Sequence, residues 1–155
     1  MSDFKVVNHT GLSAEDAVLI AKAREAIGNA YAPYSGFHVA AAILLDNGVI
    51  VTGTNQENAA YPSGMCAERV ALYSFAAQYP GVTITRMVVV ANRGNEPGLV
   101  PATSCGSCRQ VMLEFEHRQP KPYPVVMCYS DDEWIIARSA ESLLPYSFKK
   151  SNLDK

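Results

Sequence analysis

Strong charge of either sign and long hydrophobic runs are both missing from this sequence of 155 residues. Charged residues make up 18% of it, the formal net charge at pH 7 is −2, and no block of Lys or Arg occurs. Nucleic-acid-binding proteins normally carry a basic surface, so we expect no nucleic-acid partner and favour a small-molecule substrate. The longest apolar run, 39–45, has the length of a strand and predicts no membrane span.

The first residues of the sequence and its four cysteines indicate the cellular compartment. The first ten residues lack a basic region followed by an apolar run, so they do not have the pattern of a signal peptide, and we expect a cytoplasmic protein. In that compartment a Cys105-x-x-Cys108 pair is more often a metal site or a redox pair than a disulfide. Hydrophobic residues make up 48% of the sequence, which predicts a single globular domain over residues 1–155.

Hydrophobic periodicity predicts an alternation of helices and strands. Ser13, followed by acidic residues, predicts an N-cap, and Pro33 forbids continuation of that helix. Asn47-Gly48 favours a tight antiparallel hairpin between strands 37–45 and 49–54. Further helices are predicted over 66–78 and 105–117 and briefly after 139, with strands at 87–91, 125–129 and 134–137. A turn is expected over 131–133. The order predicts an α/β fold with a mixed five-stranded sheet and helices on both faces.

Three cysteines and one glutamate in the stretch 66–110 suffice for a catalytic zinc site. A zinc ion that keeps one position for water needs three protein ligands, which Cys66, Cys105 and Cys108 can supply. Both ligand groups fall at predicted helix starts, where N–H groups and the helix dipole stabilise thiolates. Glu68, two residues after the first ligand, is the predicted proton carrier. Taken alone, the Cys-x-x-Cys pair also fits structural zinc, a redox pair or buried thiols.

Three thiolates leave such a site with net negative charge, which weakens zinc as a Lewis acid. A positive partner is therefore needed. Arg69 lies three residues after Cys66 on the same helix face, and we expect it to hydrogen-bond the ligand sulfurs. Arg109 is a second candidate.

Five ordered motifs between about residues 12 and 148 resemble those of the small, homotetrameric, zinc-dependent cytidine deaminases that act on free nucleosides. They are Pro33-Tyr34-Ser35-x-Phe37, Asn55-x-Glu57-Asn58-Ala59, Tyr61-Pro62-x-Gly64-x-Cys66-Ala67-Glu68-Arg69, Cys105-Gly106-x-Cys108-Arg109-Gln110 and Leu143-Leu144-Pro145-x-x-Phe148. The resemblance implies a three-layer α/β/α fold and the hydrolysis of cytidine and 2′-deoxycytidine to uridine and 2′-deoxyuridine with release of ammonia, in pyrimidine salvage. It also implies that Zn²⁺ is the cofactor and that Glu68 carries protons from its water to the base.

The same resemblance implies how a nucleoside would be bound. Phe37 would pack against the pyrimidine, and the backbone near Ala67 would bond its carbonyl oxygen. Asn55 and Glu57 would hold the ribose hydroxyls, which gives a preference for a nucleoside over a free base.

Other residues are implied to act across a subunit boundary. Ala59, Tyr61 and Phe148 would reach into a neighbouring subunit's site, so activity would require a homotetramer with shared active sites. Two positions depart from the family pattern. Ser104 stands where proline is usual, and Ala40 stands where glycine is usual.

Two alternatives stay open at this stage. Ser104, beside the second ligand, would suit an enzyme that deaminates a modified cytidine or a nucleoside antibiotic. A noncatalytic protein with structural zinc, or with a redox-active Cys105/Cys108 pair, is the alternative from another class.

Overall fold

The computed structural model of the protein describes residues 2–94, 96–130 and 132–154. A mixed sheet carries helices on both faces, which confirms the predicted three-layer architecture. Its strands are β1 (Phe4–Val7), β2 (Phe37–Leu45), β3 (Ile50–Thr54), β4 (Ile84–Arg93), β5 (Val125–Ser130) and β6 (Glu133–Ala137). The helices are α1 (Ala14–Ala26), α2 (Ala67–Gln78) and α3 (Gly106–His117). Among the described residues no helix is long and apolar enough for a membrane crossing.

The sheet has the strand order β1-β6-β5-β4-β2-β3, in which only β4 and β5 are parallel neighbours. Helix α1 covers one face, while α2 and α3 cover the other. Ala40 and Ala42 of β2 point into the α1 side, and Ala41 points into the α2 side. Because these side chains are small, helices on both faces can pack closely against the middle of the sheet.

The sheet contains six strands, so the prediction of five was wrong by one. The additional strand, β1, pairs antiparallel with β6, from Phe4 opposite Ala137 to Val7 opposite Trp134. Its side chains are mostly exposed, so hydrophobic alternation did not mark it in the sequence. It is an edge strand that depends on backbone pairing with β6.

The start of α1 is capped as predicted. Ser13 Oγ accepts the N–H of Asp16, and the Asp16 carboxylate accepts the N–H of Ser13, which is a reciprocal capping box. Asp16 is buried and also pairs with Arg86 of β4, so the cap ties the helix to the sheet. The helix itself ends at Ala26, and a single 3-10 turn follows before the proline.

The Asn-Gly hairpin is confirmed, with four residues, 46–49, between β2 and β3. Leu45 N–H donates to the carbonyl of Val49, and Gly48 N–H donates back to the carbonyl of Leu45 at 3.0 Å. Gly48 has φ +84°, a left-handed conformation that glycine adopts without strain. Strand β3 therefore begins at Ile50.

Helices α2 and α3 begin one residue later than predicted, so Cys66 and Cys105 are their N-cap residues. A 3-10 turn over Tyr61–Ser63 precedes α2. Other elements also differ from the predictions. Strand β4 is longer at both ends, and the helix after residue 139 is a single 3-10 turn over Glu141–Leu143. Of the expected turn at 131–133, Asp131 lies outside the described residues.

Strand β3 and helix α2 touch at Gly53. A Cβ atom at this position would lie 2.4 Å from the backbone nitrogen of Ala71 and 2.7 Å from the carbonyl oxygen of Ala67. Such separations are far below ordinary contact distances, so only glycine permits this approach. The contact sets the distance between the sheet and the first turn of α2, which carries three of the predicted site residues, Ala67, Glu68 and Arg69.

We predict that Gly53→Ala lowers the free energy of unfolding by about 1–3 kcal/mol, because the added methyl group forces α2 away from β3. Urea denaturation followed by circular dichroism measures the change. Gly28→Ala is the matched control, since a Cβ there meets nothing within 4 Å, and its effect should stay within about 0.5 kcal/mol. Equal stability of the two variants would contradict the close contact.

Candidate metal centre and active site

The N-termini of α2 and α3 bring three cysteine sulfurs together. The Sγ atoms of Cys66, Cys105 and Cys108 all lie within 4.8 Å of one another, and those of Cys66 and Cys105 are 3.8 Å apart. Tetrahedral zinc with Zn–S bonds of about 2.3 Å separates two ligand sulfurs by about 3.8 Å. The predicted ligand set is therefore brought together at a spacing that fits zinc.

The protonation of these thiols also suits a bound cation. The pKa of Cys66 falls to about 5, chiefly because the Cys108 thiol hydrogen-bonds to it and also because the Arg69 guanidinium lies beside it. The pKa of Cys108 is raised by its bond to Cys66 and by burial. One thiolate thus opposes formation of the next, and a divalent cation would remove that opposition.

The two arginines considered as partners of the sulfurs have different positions. Arg69 Nη2 donates to Cys66 Sγ at 3.5 Å, as the helical spacing predicted. Arg109 is directed elsewhere, since its Nε donates to the carbonyl oxygen of Ser104 at 2.8 Å and its Nη1 to that of Leu143 at 3.2 Å. Arg109 therefore fixes the backbone before the second ligand group.

Glu68 lies in the first turn of α2 and is buried, with 4% of its surface exposed. Burial raises the pKa of its carboxyl group. A raised pKa makes the carboxyl group a weaker acid and its carboxylate a stronger base, which favours the acceptance of a proton during catalysis. Its position two residues after Cys66 places it in the same cavity as the sulfurs.

A cavity of about 500 Å³ opens above this cluster. It is large enough for a small organic ligand. Most of the site residues expected from the sequence line it, namely Phe37, Asn55, Glu57, Tyr61, Cys66, Ala67, Glu68, Arg69 and Cys105. Cys108 is fully buried behind the lining residues, and neither Ala59 nor Phe148 is among them.

Asn55 extends the pairing of β2 and β3 with its side chain. Its Oδ1 accepts the N–H of Val39 at 2.8 Å, and its Nδ2 donates to the carbonyl oxygen of Phe37 at 2.8 Å. The side-chain amide thus takes the place of a further backbone residue of β3 in the pairing with β2, and it fixes the backbone that carries Phe37. One Nδ2 hydrogen is not used by these two bonds.

Glu57 organises the turn before β2. Its carboxylate accepts the backbone N–H groups of Tyr34, at 2.9 Å, and Ser35, at 3.3 Å, and also the hydroxyl hydrogen of Ser35. The bond from the Ser35 hydroxyl is the main reason why the pKa of Glu57 lies below its usual value. The carboxylate therefore stays ionised at neutral pH beside the cavity.

The residues expected to serve a neighbouring subunit are exposed in the single chain. Tyr61 is 77% exposed at the mouth of the cavity, where its ring meets that of Tyr34 edge-on at 6.1 Å. Phe148 is 59% exposed, and Ala59 is exposed as well. Aromatic side chains with this much exposure mark interaction surfaces when they lie near one another.

Ser104 lies directly behind the site. It is 4% exposed, and its hydroxyl donates to the sulfur of Met127 at 3.8 Å. The Ser104 side chain also hydrogen-bonds to Glu68, which opposes part of the rise in the pKa of that carboxyl group. Its carbonyl oxygen is held by Arg109, as described above. The position that departs from the family pattern is therefore packed inside the protein and does not line the cavity.

Several lining residues were not predicted from the sequence. Ser35 and Gly64 belong to the recognised motifs but had been given no role, whereas Gln56, Met65 and Thr103 fall in the gaps of the motifs or beside them. Ser35 is the most informative, because its hydroxyl accepts the N–H of Phe37 at 3.0 Å while donating to Glu57. Its place two residues before Phe37 was the available signal.

Comparisons with known proteins agree with this geometry. A family model described as "Cytidine and deoxycytidylate deaminase zinc-binding region" matches residues 13–121. A protein of Sporosarcina psychrophila named cytidine deaminase is 38% identical over 136 residues, covering 87% of this chain and 92% of that protein. The crystal structure of a cytidine deaminase from Burkholderia pseudomallei matches with a TM-score of 0.70 and 39% identity, over 88% of this chain and 100% of that one. The crystal structure of cytidine deaminase from Mycobacterium tuberculosis matches with a TM-score of 0.67 and 29% identity, over 88% of this chain and 99% of that one.

We predict that the purified protein binds one zinc ion per chain and that Cys108→Ser abolishes this binding, because the three-sulfur set is then incomplete. Zinc content measured by mass spectrometry after dialysis reports the result. Cys128→Ser is the matched control, since Cys128 is also a buried cysteine but lies in β5, outside the cluster. Zinc retained by the Cys108 variant, or lost by both, would contradict the assignment.

Proposed function

Because the chain belongs to the family of cytidine and deoxycytidylate deaminases, we propose that it hydrolyses cytidine and 2′-deoxycytidine to uridine and 2′-deoxyuridine with release of ammonia. It is a hydrolytic, zinc-binding deaminase. One observation supports this reaction above all: the buried Glu68 carboxyl group lies at the same cavity as the three-cysteine cluster. That pairing is what hydrolysis of an aminopyrimidine requires.

The chemistry divides between the metal and the chain. When bound by Cys66, Cys105 and Cys108, zinc supplies an acidified water as the nucleophile. Glu68 would accept one proton of the attacking water and deliver it to the ring nitrogen. It would then accept the second proton, from the new hydroxyl group on the ring carbon, and deliver it to the departing amino group, so that one water enters and one ammonia leaves. Arg69 balances part of the thiolate charge through its bond to Cys66.

The remaining cavity residues would bind the nucleoside. Phe37 offers a ring face to the pyrimidine, and the N–H of Ala67, in the first turn of α2, lacks an intrahelical acceptor and can meet the carbonyl oxygen of the base. The unused Nδ2 hydrogen of Asn55 and the ionised carboxylate of Glu57 match the hydroxyls of the ribose.

The proposal extends to assembly and cellular role. Residues 1–155 form one domain, four copies of which make a homotetramer in the cytoplasm, serving pyrimidine salvage. Tyr61, Ala59 and Phe148 of neighbouring chains complete each site. The exposure of Tyr61 and Phe148 in the single chain supports this arrangement, since association would cover them.

Ser104 supports a second candidate within the same chemistry, in which the substrate is a modified cytidine or a nucleoside antibiotic. Its buried position directly before Cys105 places it behind the ligand group. A panel of cytidine, 2′-deoxycytidine and modified nucleosides, assayed on the protein and on Ser104→Pro, decides between the two. A purely structural zinc site is disfavoured, because the cluster offers three thiols and faces an open cavity.

We predict that Glu68→Gln retains one zinc ion per chain and lowers kcat for cytidine by about 10²- to 10⁴-fold, because the amide keeps the shape of the carboxyl group and cannot carry the proton. The loss of cytidine absorbance and the ammonia released measure the rate. The control is Glu114→Gln on the exposed face of α3, which should leave the rate unchanged. Full turnover by the Glu68 variant would remove this residue from the mechanism.

Shared active sites predict complementation between two defective chains. Phe148→Ala removes the ring that a neighbour needs, whereas Glu68→Gln chains keep that ring and lack the proton carrier. Mixing them under conditions that exchange subunits should give activity above that of either parent, because hybrid sites combine an intact Glu68 with an intact neighbouring Phe148. The measurement is the initial rate against mixing ratio. A rate that equals the weighted mean of the parents would show that the sites are independent.

A further inference from the structure

The chain segment that carries Phe148 lies against α3, the helix that carries two of the metal ligands. We call residues 139–149 the C-terminal strap. Side chains of α3 bond to it at three separate points along its length. Arg109 donates to the carbonyl of Leu143 at 3.2 Å, and Gln110 donates to the carbonyl of Phe148 at 2.9 Å. The third point is Glu116, near the end of the helix.

Glu116 anchors the beginning of the strap. It is 5% exposed, and its carboxylate accepts the N–H groups of Ala140 at 2.7 Å, Glu141 at 3.1 Å and Tyr123 at 3.2 Å. Buried bonds to a charged acceptor are among the stronger ones in proteins. At the other end, the ammonium group of Lys149 pairs with the carboxylate of Glu141, which closes the strap on itself.

Between its fixed points the strap contains a strained residue. Tyr146 has φ +52°, a left-handed conformation that is unfavourable for a residue with a side chain of this size, and its own ring is fully exposed. Neighbouring bonds must therefore hold the turn. They come from Arg109 on one flank, at Leu143, and from Gln110 on the other, at Phe148.

We propose that Gln110 is a positioning residue for the substrate, which it does not touch. Through its bond to the Phe148 carbonyl it holds the Phe148 ring where that ring completes the nucleoside site of a neighbouring subunit. Gln110 is absent from the lining of its own cavity, so an effect on substrate binding has to pass through the strap. The inference rests on the proposed function, in which Phe148 serves the neighbouring site.

The test replaces the donor while keeping the length of the side chain. Gln110→Met should raise KM for cytidine about three- to tenfold and change kcat less than twofold, with zinc content and oligomeric state unchanged, because one hydrogen bond to the strap is lost. Gln110→Lys keeps an N–H donor and should restore KM to within about twofold. Gln78→Met is the matched control. It removes a bond from an exposed glutamine to Ser74 on α2, far from the strap in sequence, and should leave KM unchanged.

A double-mutant cycle identifies the route of the effect. In a Phe148→Ala background, Gln110→Met should add less than a twofold further increase in KM, since the ring that it positions is already missing. The same increase in both backgrounds, or no increase in either, overturns the inference. If Gln110→Met does not fold, amide hydrogen exchange of residues 143–149 in Gln110→Glu replaces it, and undiminished protection there overturns the inference too.

A different result would disprove the proposed function itself. If the unsubstituted protein does not deaminate cytidine, the proposed function is wrong and the role of Gln110 in it falls as well. If that protein is active and the cycle shows no coupling, the deaminase proposal stands and Gln110 only stabilises the strap.

Discussion

Everything at the site depends on the meeting of two helix starts. Cys66 and Cys105 lie 39 positions apart and belong to different helices, yet each is an N-cap residue, and their sulfurs come within 3.8 Å. N-cap side chains stand beside N–H groups that have no acceptor within the helix, so both sulfurs experience the positive ends of the helix dipoles. This setting favours a thiolate at Cys66 before any metal is bound, and the fold must hold both helices in place to maintain it.

The surrounding structure meets that requirement by different means for the two helices. Helix α2 is placed by contact, because Gly53 lets its first turn lie directly on β3. Helix α3 is placed by hydrogen bonds, in which Arg109 and Glu116 connect it to the backbone before it and to the strap after it. A steric contact tolerates almost no change of side chain, whereas a hydrogen bond tolerates any side chain that keeps the donor or acceptor and its reach.

The sequence predicted those features that depend on local chemistry. The cap at Ser13, the turn at Gly48 and the cysteine cluster were all visible, because a residue type and its spacing define each of them. Strand β1 was not, since its exposed side chains carry no hydrophobic pattern and its existence depends on pairing with a strand far away in the sequence. The direction of Arg109 was likewise hidden, because its acceptors belong to a loop and to the strap.

The side chains assigned to the ribose also illustrate why a binding site and its scaffold are hard to separate. Asn55 bonds the backbone on both sides of His38, and Glu57 holds the turn that precedes Phe37. Both therefore already have structural partners, either on the strand that carries the ring or in the turn before it. In the proposed binding mode, replacing either one would remove a contact to the nucleoside and would also free Phe37 to move. A large loss of binding in such a variant therefore measures two effects. Only a residue such as Gln110, which acts on substrate through a single remote bond, allows positioning to be measured apart from contact.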